Sequence, residues 1–381
     1  MPDNITSISA TIDALMRLAE TLKDLNERGS DKELVSPINF PLSSDNDQES
    51  SVDEMKILPI SFYRSIPDEV AKAYKLMEDA AELISASSTK FTLVERINEN
   101  DGHKLVAEML RGAEIIATGA LVIHSSNMGL GRSARYYAKH SSRAVVASLI
   151  SLFKSFDAGT ARIRDSSVGA QKTGVVWQCC GKVRKIPKGN RNAMRRDLLQ
   201  WIKDCNDTWE EFREMIDAPA VDAENIDDIN WDEFCVRSGE QFTKTELRIL
   251  QPCVALVKCS RGTISAILKS CDDVGKSIAS IEEKKDIHYL WISSLHELAR
   301  IIGEGVTELG SMLYPPLEID DDGLVEEIKS LSCALKKANQ AILEMSEDER
   351  ENCIISSETS SFARKLIVAS AKRSAEALKD I

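Results

Sequence analysis

Three short segments of the chain contain residue types that bind nucleotides or metals in other proteins. The Gly-Lys-Ser sequence at 275–277 matches the end of a P-loop, in which backbone amides and a lysine surround phosphate oxygens. The Gly-Leu-Gly sequence at 129–131 matches part of a dinucleotide-binding pattern. His296 and Glu297 form the beginning of a zinc-protease motif. Complete motifs would provide phosphate, nucleotide or zinc chemistry.

Each of these motifs is incomplete. A P-loop requires a glycine five residues before Gly275, where the chain has Ser270, and a preceding strand that the sequence does not predict. The dinucleotide pattern lacks its third glycine, so a helix-to-helix turn is the better interpretation. Four residues after His296 the chain has Arg300 instead of a second histidine. We therefore expect no catalytic residue, no cofactor and no metal.

The nine cysteines give no sign of a metal site or a disulfide framework. All lie between Cys179 and Cys353, and none forms a C-x-x-C pair. Several lie in stretches of apolar periodicity, where a free cysteine behaves as a small buried hydrophobic residue: Cys205, Cys253, Cys271 and Cys333. An odd number of cysteines with this distribution predicts a reducing compartment.

The strongest local charge signal is a basic run that forms our candidate protein-docking patch. Residues 182–196 contain no acidic residue. The basic residues are Lys182, Arg184, Lys185, Lys188, Arg191, Arg195 and Arg196. Three interpretations remain open: a solvated helix end, a docking site for an acidic partner or for the chain's own segment 217–233, and contact with nucleic acid or phospholipid. The run has no interleaved aromatic residues, and the chain has a net charge of −13, so direct nucleic-acid binding is disfavoured.

An acidic segment follows the basic run. Residues 217–233 contain seven acidic residues and no basic residue, with Pro219 among them. Trp231 and Phe234 form a candidate docking strap. An aromatic residue in such a segment is either a short linear docking motif or a strap that packs back on the fold.

Apolar residues recur at intervals of three and four along most of the chain, as they do in amphipathic helices. The low aromatic content of 5% favours helix-on-helix packing over sandwiches or barrels. The stripe from Leu324 to Met345 is the clearest example, and residues 243–246 predict a capping box. The predicted helices cover about 5–27, 67–87, 102–126, 132–156, 160–186, 191–217, 243–272, 283–313, 322–346 and 354–379.

These elements predict an all-α fold of long antiparallel helices in two helical bundles. Glycines inside the predicted helices, such as Gly112, Gly119 and Gly174, either weaken them slightly or let neighbouring helices approach closely. The sequence leaves open whether the first helix belongs with the C-terminal bundle. The predicted organisation is an N-terminal helix at 1–28, a mobile linker at 29–64, an N-terminal bundle at 65–217, an acidic linker at 218–239 and a C-terminal bundle at 240–381.

Localisation is predicted from two further features. The N-terminus lacks the basic region and apolar run of a signal peptide, and no apolar stretch approaches the roughly 20 residues that span a bilayer. Both absences predict the cytosol or the nucleus, and no membrane partner.

Four sequence segments resemble one protein family. They are the TGVVWQCC sequence at 173–180, the IPKGNRNA sequence at 186–193, the QPCVALVK sequence at 251–258 and the LYPPL sequence at 313–317. In this order and spacing they resemble the cyclin-D-binding protein (GCIP) family. The resemblance implies two helical bundles similar to those of vinculin and talin, with Trp177 as a core anchor.

The same resemblance implies a non-enzymatic regulator. Its partners would be cyclin-like and helix-loop-helix regulatory proteins that the chain sequesters or scaffolds, with no cofactor and no direct nucleic-acid contact. A vinculin-like cytoskeletal or adhesion scaffold is the alternative function. The resemblance carries no catalytic residue to this chain.

Overall fold

A computed structural model describes ten parts of the chain. They are residues 7–25, 66–94, 99–125, 128–159, 167–217, 242–277, 285–317, 322–347, 355–379 and 381, with only the backbone described at 99–100, 275–277, 285–290 and 346–347. The predicted linkers at 29–64 and 218–239 lie outside these ranges. The candidate strap residues Trp231 and Phe234 also lie outside them.

Helices account for nearly all of the described residues, and these residues contain no β-strand. The all-α prediction is therefore confirmed. The helices are α1 (Ile8–Lys23), α2 (Asp68–Val94), α3 (Glu99–His124), α4 (Arg132–Asp157), α5 (Val168–Val183), α6 (Asn190–Asp217), α7 (Lys244–Ser277), α8 (Lys285–Met312), α9 (Asp322–Glu347) and α10 (Ser357–Ala377).

Helix α7 begins at the predicted capping box. The Thr243 hydroxyl accepts a hydrogen bond from the backbone amide of Glu246 at 3.2 Å, and the Glu246 carboxylate accepts one from the amide of Thr243 at 2.7 Å. The second carboxylate oxygen accepts from the amide of Leu317 at 2.8 Å. The buried Glu246 side chain thus satisfies amides at two places and fixes the start of α7.

Residues 1–194 form the N-terminal unit. Its helices α2 and α3 are antiparallel and pack very closely, because glycines of α3 face α2. A β-carbon at Gly112 would lie 2.7 Å from Ile84 Cγ1, and one at Gly119 would lie 2.4 Å from Met77 Cγ. Helices α1, α4 and α5 complete the core.

Residues 195–381 form the C-terminal unit. Helices α7 to α10 pack against one another, and α9 contributes the predicted apolar stripe. Its buried members are Leu324, Ile328, Leu331, Leu335, Ala338 and Ile342. The prediction of a core-facing stripe on α9 is confirmed.

The division between the two units lies at residues 194 and 195, near the start of α6. The sequence predicted a boundary at 217. Residues 195–217 belong to the C-terminal unit because apolar residues of α6 pack on α8. Gly303 lies under the ring of Trp201, and Gly310 lies beside Thr208 and Phe212.

None of the helices in the described ranges is both long enough and apolar enough to cross a membrane.

Candidate docking surfaces

All seven basic residues of the run at 182–196 are exposed. The division of the chain separates these cations into two groups. Lys182, Arg184, Lys185, Lys188 and Arg191 lie in the N-terminal unit, and Arg195 and Arg196 lie in the C-terminal unit. We use the name basic cluster for the first five.

The basic cluster lies on and next to a firmly anchored turn between α5 and α6. Gly189 has a positive φ of 81°, which glycine adopts without strain. The buried Asn190 side chain accepts from the Gly131 amide at 2.7 Å and donates to the Gly129 carbonyl at 3.0 Å. Lys188 also forms an ion pair with Glu78 of α2 at 2.8 Å. The cations therefore extend from a rigid support.

The cations of the C-terminal unit have a different setting. Arg195 donates to the Asp272 carboxylate at 2.5 Å, with both side chains partly exposed. This pair joins α6 to α7 at the surface. An exposed pair of this type contributes about 0–1 kcal/mol to stability. Arg195 therefore has a structural partner within its own unit.

A groove of about 540 Å³ runs between α2 and α3 of the N-terminal unit. Its floor is formed by small residues at the point of closest helix approach, Ala73 and Gly119. Apolar side chains line the walls: Leu76, Ile115 and Val122. We call this feature the α2–α3 groove.

The rim of the α2–α3 groove is charged. Glu69 and Lys72 lie on the α2 side, and Arg111 and Glu114 lie on the α3 side. The rim thus combines cations and carboxylates around an apolar centre. This arrangement is typical of interfaces whose apolar core is surrounded by polar residues.

Large apolar side chains extend the apolar character of this face. The side chain of Leu76 is 56% exposed, and Leu83 lies two helical turns further along α2 and is 39% exposed. Residues seven apart lie on the same side of a helix. The exposed apolar surface of α2 therefore continues along the helix beyond the groove.

The prediction that Trp177 is a core anchor is wrong. The residue is 49% exposed, because it lies on the outer side of α5 over helix α2. Its indole N–H donates to the Ser85 carbonyl at 3.2 Å and to the Thr89 hydroxyl at 3.1 Å. Trp177 therefore fastens α5 to α2 from the surface.

The burial of the cysteines was mostly predicted correctly. Cys205, Cys253 and Cys271 are buried, whereas Cys333 is exposed because it lies beside the buried stripe of α9 instead of within it. Burial raises the thiol pKa of Cys180, Cys205 and Cys253 from 9.0 to about 12. These thiols are protonated at neutral pH, so they are poor nucleophiles and metal ligands.

The incomplete motifs occupy structural positions. Residues 275–277 are the last residues of α7, so the helix extends beyond its predicted end at 272. Residues 129–131 form the turn that leads into α4, as predicted. His296 Nε2 lies 3.1 Å from the Asp197 carboxylate and its ring lies against Trp201. The described residues contain no group of three His, Cys, Asp or Glu side chains placed to hold a metal ion.

Sequence reasoning missed the α2–α3 groove. The available signal was the seven-residue spacing of Gly112 and Gly119, which places both glycines on one face of α3. The exposed leucines of α2 gave no signal, because an apolar residue outside the main stripe is common on helix surfaces.

The chain matches two family descriptions. It matches "Grap2 and cyclin-D-interacting, N-terminal" over residues 76–218, which include most of the α2–α3 groove and the basic run. It matches "Grap2 and cyclin-D-interacting, C-terminal" over residues 226–340.

One curated relative is the cyclin-D1-binding protein 1 homolog of Xenopus laevis. It is 26% identical to this chain over 149 residues, which are 38% of this chain and 42% of the relative. The match thus spans less than half of either protein. The family matches cover the greater part of the chain, and the resemblance noted at 173–317 lies almost wholly within them. The chain belongs to the Grap2 and cyclin-D-interacting protein (GCIP) family.

Proposed function

We propose that this protein is a non-enzymatic interaction protein whose α2–α3 groove binds a helix of a cyclin-type regulatory protein. The observation that carries the proposal is the apolar groove with a charged rim, most of which lies in the part of the chain that matches the N-terminal family description. The name of the Xenopus relative supports a cyclin as the partner class.

The shape of the groove favours a helical partner. The groove runs between two antiparallel helices, and an amphipathic helix fits such a groove with apolar residues at intervals of three and four. Leu76 lies on one wall and Ile115 on the other, so the partner would bury both. Burying an exposed leucine side chain contributes about 1.5–3 kcal/mol.

The basic cluster has a supporting role in this proposal. Its exposed cations, from Lys182 to Arg191, would attract an acidic surface of the partner and raise the association rate. Helix-loop-helix regulators are a second proposed partner class. The protein would sequester or scaffold its partners, and it would do so in the nucleus and the cytoplasm. The Trp231 and Phe234 strap remains a proposed second contact of the same partners.

The experiment compares the affinities of full-length variants for a purified D-type cyclin by biolayer interferometry. Leu76→Glu places a charge in the groove wall, and we expect binding about 30-fold weaker or more, as for an interface hot spot. Val368→Glu is the matched control, because Val368 is 70% exposed and lies on α10 of the C-terminal unit. It should bind as the parent does.

Two results would contradict the groove assignment: equal affinities for both variants, or no cyclin binding by the parent chain. Circular dichroism confirms that each variant keeps its helices. Charge reversal of Lys182, Arg184 and Lys185 tests the basic cluster separately. We expect a slower association rate that depends on salt, with an unchanged melting temperature.

A further inference from the structure

Three cations converge on one tryptophan in the C-terminal unit. The guanidinium of Arg213 lies 5.2 Å from the centre of the Trp209 ring, the Lys258 ammonium 5.2 Å and the Arg261 guanidinium 5.7 Å. Trp209 and Arg213 belong to α6, and the other two belong to α7. We call these four residues the tryptophan–cation cluster.

Cation–π attraction accounts for part of this arrangement. A cation over an indole gains about 0.5–1 kcal/mol at an exposed site. However, the distances to the ring centre place any two of the cations within about 11 Å of each other. This upper limit on their separation is comparable to the Debye length of about 8 Å at physiological salt. The repulsion between the cations is therefore only partly screened. An anion at this surface would relieve it.

Among the described residues, only one of the three cations has an ion-pair partner. Asp217 lies 3.9 Å from Arg213, and the Asp217 side chain is 73% exposed. Arg261 donates at 2.6 Å to the amide oxygen of Asn206, which is a neutral acceptor. The exposed Lys258 has no ion-pair partner within the described parts of the chain. One ammonium and one loosely paired guanidinium therefore remain available to an anion.

We propose that the tryptophan–cation cluster is a docking site for a short carboxylate-rich segment of a partner protein. Charge complementarity is the basis of this assignment. Two carboxylates of the segment would contact Arg213 and Lys258, beside the partly exposed ring of Trp209. The site lies in the C-terminal unit, so it is separate from the α2–α3 groove.

The size and form of the cluster favour a peptide over a nucleic acid. Single-stranded nucleic acids need a continuous basic groove and aromatic rings free to stack on bases. Here three cations occupy positions over the ring, and the chain as a whole carries a charge of −13. A short acidic segment matches the limited extent of the positive surface.

The test uses the full chain and a fluorescein-labelled ten-residue peptide of alternating Glu and Gly, followed by fluorescence anisotropy. The parent should bind the peptide, and binding should weaken as salt increases. The double variant Arg213→Gln, Lys258→Gln should bind about tenfold more weakly, given two lost charge-assisted contacts. The double variant Lys329→Gln, Lys336→Gln is the control for the loss of two exposed charges, and its affinity should change less than about twofold.

Three results would overturn the proposal. They are no peptide binding by the parent chain, equal weakening in the two double variants, and stronger binding of a labelled ten-nucleotide RNA than of the peptide. Leu76→Glu separates this proposal from the cyclin-binding proposal, because it should leave peptide affinity unchanged. If Leu76→Glu loses cyclin binding but keeps peptide binding, the result tests the groove proposal alone and leaves the tryptophan–cation cluster proposal standing.

Discussion

A single methyl group added at Gly112 tests the close packing of α2 and α3. In the Gly112→Ala variant the new β-carbon would lie 2.7 Å from Ile84 Cγ1, 3.0 Å from Ile84 Cδ1 and 3.4 Å from the Ala80 carbonyl oxygen. Carbon atoms normally approach to about 3.5–4.0 Å, so the overlap is close to 1 Å. Ile84 is fully buried and β-branched, so it adjusts with difficulty.

The expected magnitude follows from two opposing effects. Replacing glycine by alanine inside a helix stabilises it by about 1 kcal/mol. Overpacking a core costs about 1–3 kcal/mol, so Gly112→Ala should lower the free energy of unfolding by roughly 1 kcal/mol. Gly174→Ala is the matched control, because no atom lies within 4 Å of its new β-carbon. That variant should be stabilised by up to about 1 kcal/mol.

Hydrogen exchange with mass spectrometry measures these effects helix by helix in the full chain. Amides of α2 and α3 should exchange faster in Gly112→Ala, and amides of α5 should exchange more slowly in Gly174→Ala. The free energies of opening should differ by about 2 kcal/mol between the variants. Equal stabilisation by both alanines would refute the reasoning, because it would show that α2 and α3 leave room for a side chain.

Three further predictions concern buried polar groups. Glu246→Ala leaves buried amides without an acceptor and should lower the free energy of unfolding of the C-terminal unit by about 1–3 kcal/mol, measured in urea. Asn190→Ala removes both bonds to the loop before α4 and should speed amide exchange in that loop. Buried Cys180, Cys205 and Cys253 keep their protons to about pH 12, whereas an unfolded thiol loses its proton near 9.0. Stability should therefore be independent of these thiols below pH 9 and fall between pH 9 and 12, by about 1.4 kcal/mol per pH unit for each thiol in urea titrations.

The helices could be predicted because their signals are local. Periodicity located the buried stripe of α9, and the residue types at Thr243 and Glu246 predicted the start of α7. A cap involves residues three positions apart, so its chemistry is visible in a few letters of sequence. The end of α7 was predicted less well: the helix continues to Ser277, beyond the predicted 272.

The surfaces could not be predicted to the same degree, because they depend on contacts between distant segments. Trp177 reaches Ser85 across 92 residues of sequence. Gly112 and Gly174 are both glycines inside predicted helices. A β-carbon added at Gly112 would contact the neighbouring helix, whereas one added at Gly174 would contact no atom within 4 Å. Sequence spacing identifies a helix face, whereas the identity of the opposing face comes only from the fold.

The most direct test of the central claim is hydrogen exchange of the full chain with and without a bound D-type cyclin. The account predicts slower exchange in α2 and α3, concentrated at the turns that contain Leu76 and Ile115, because the partner helix would exclude water there. The helices α7 to α10 should show little change. Protection confined to α7 to α10, with unchanged exchange at the groove, would contradict the assignment of the α2–α3 groove as the cyclin-binding surface.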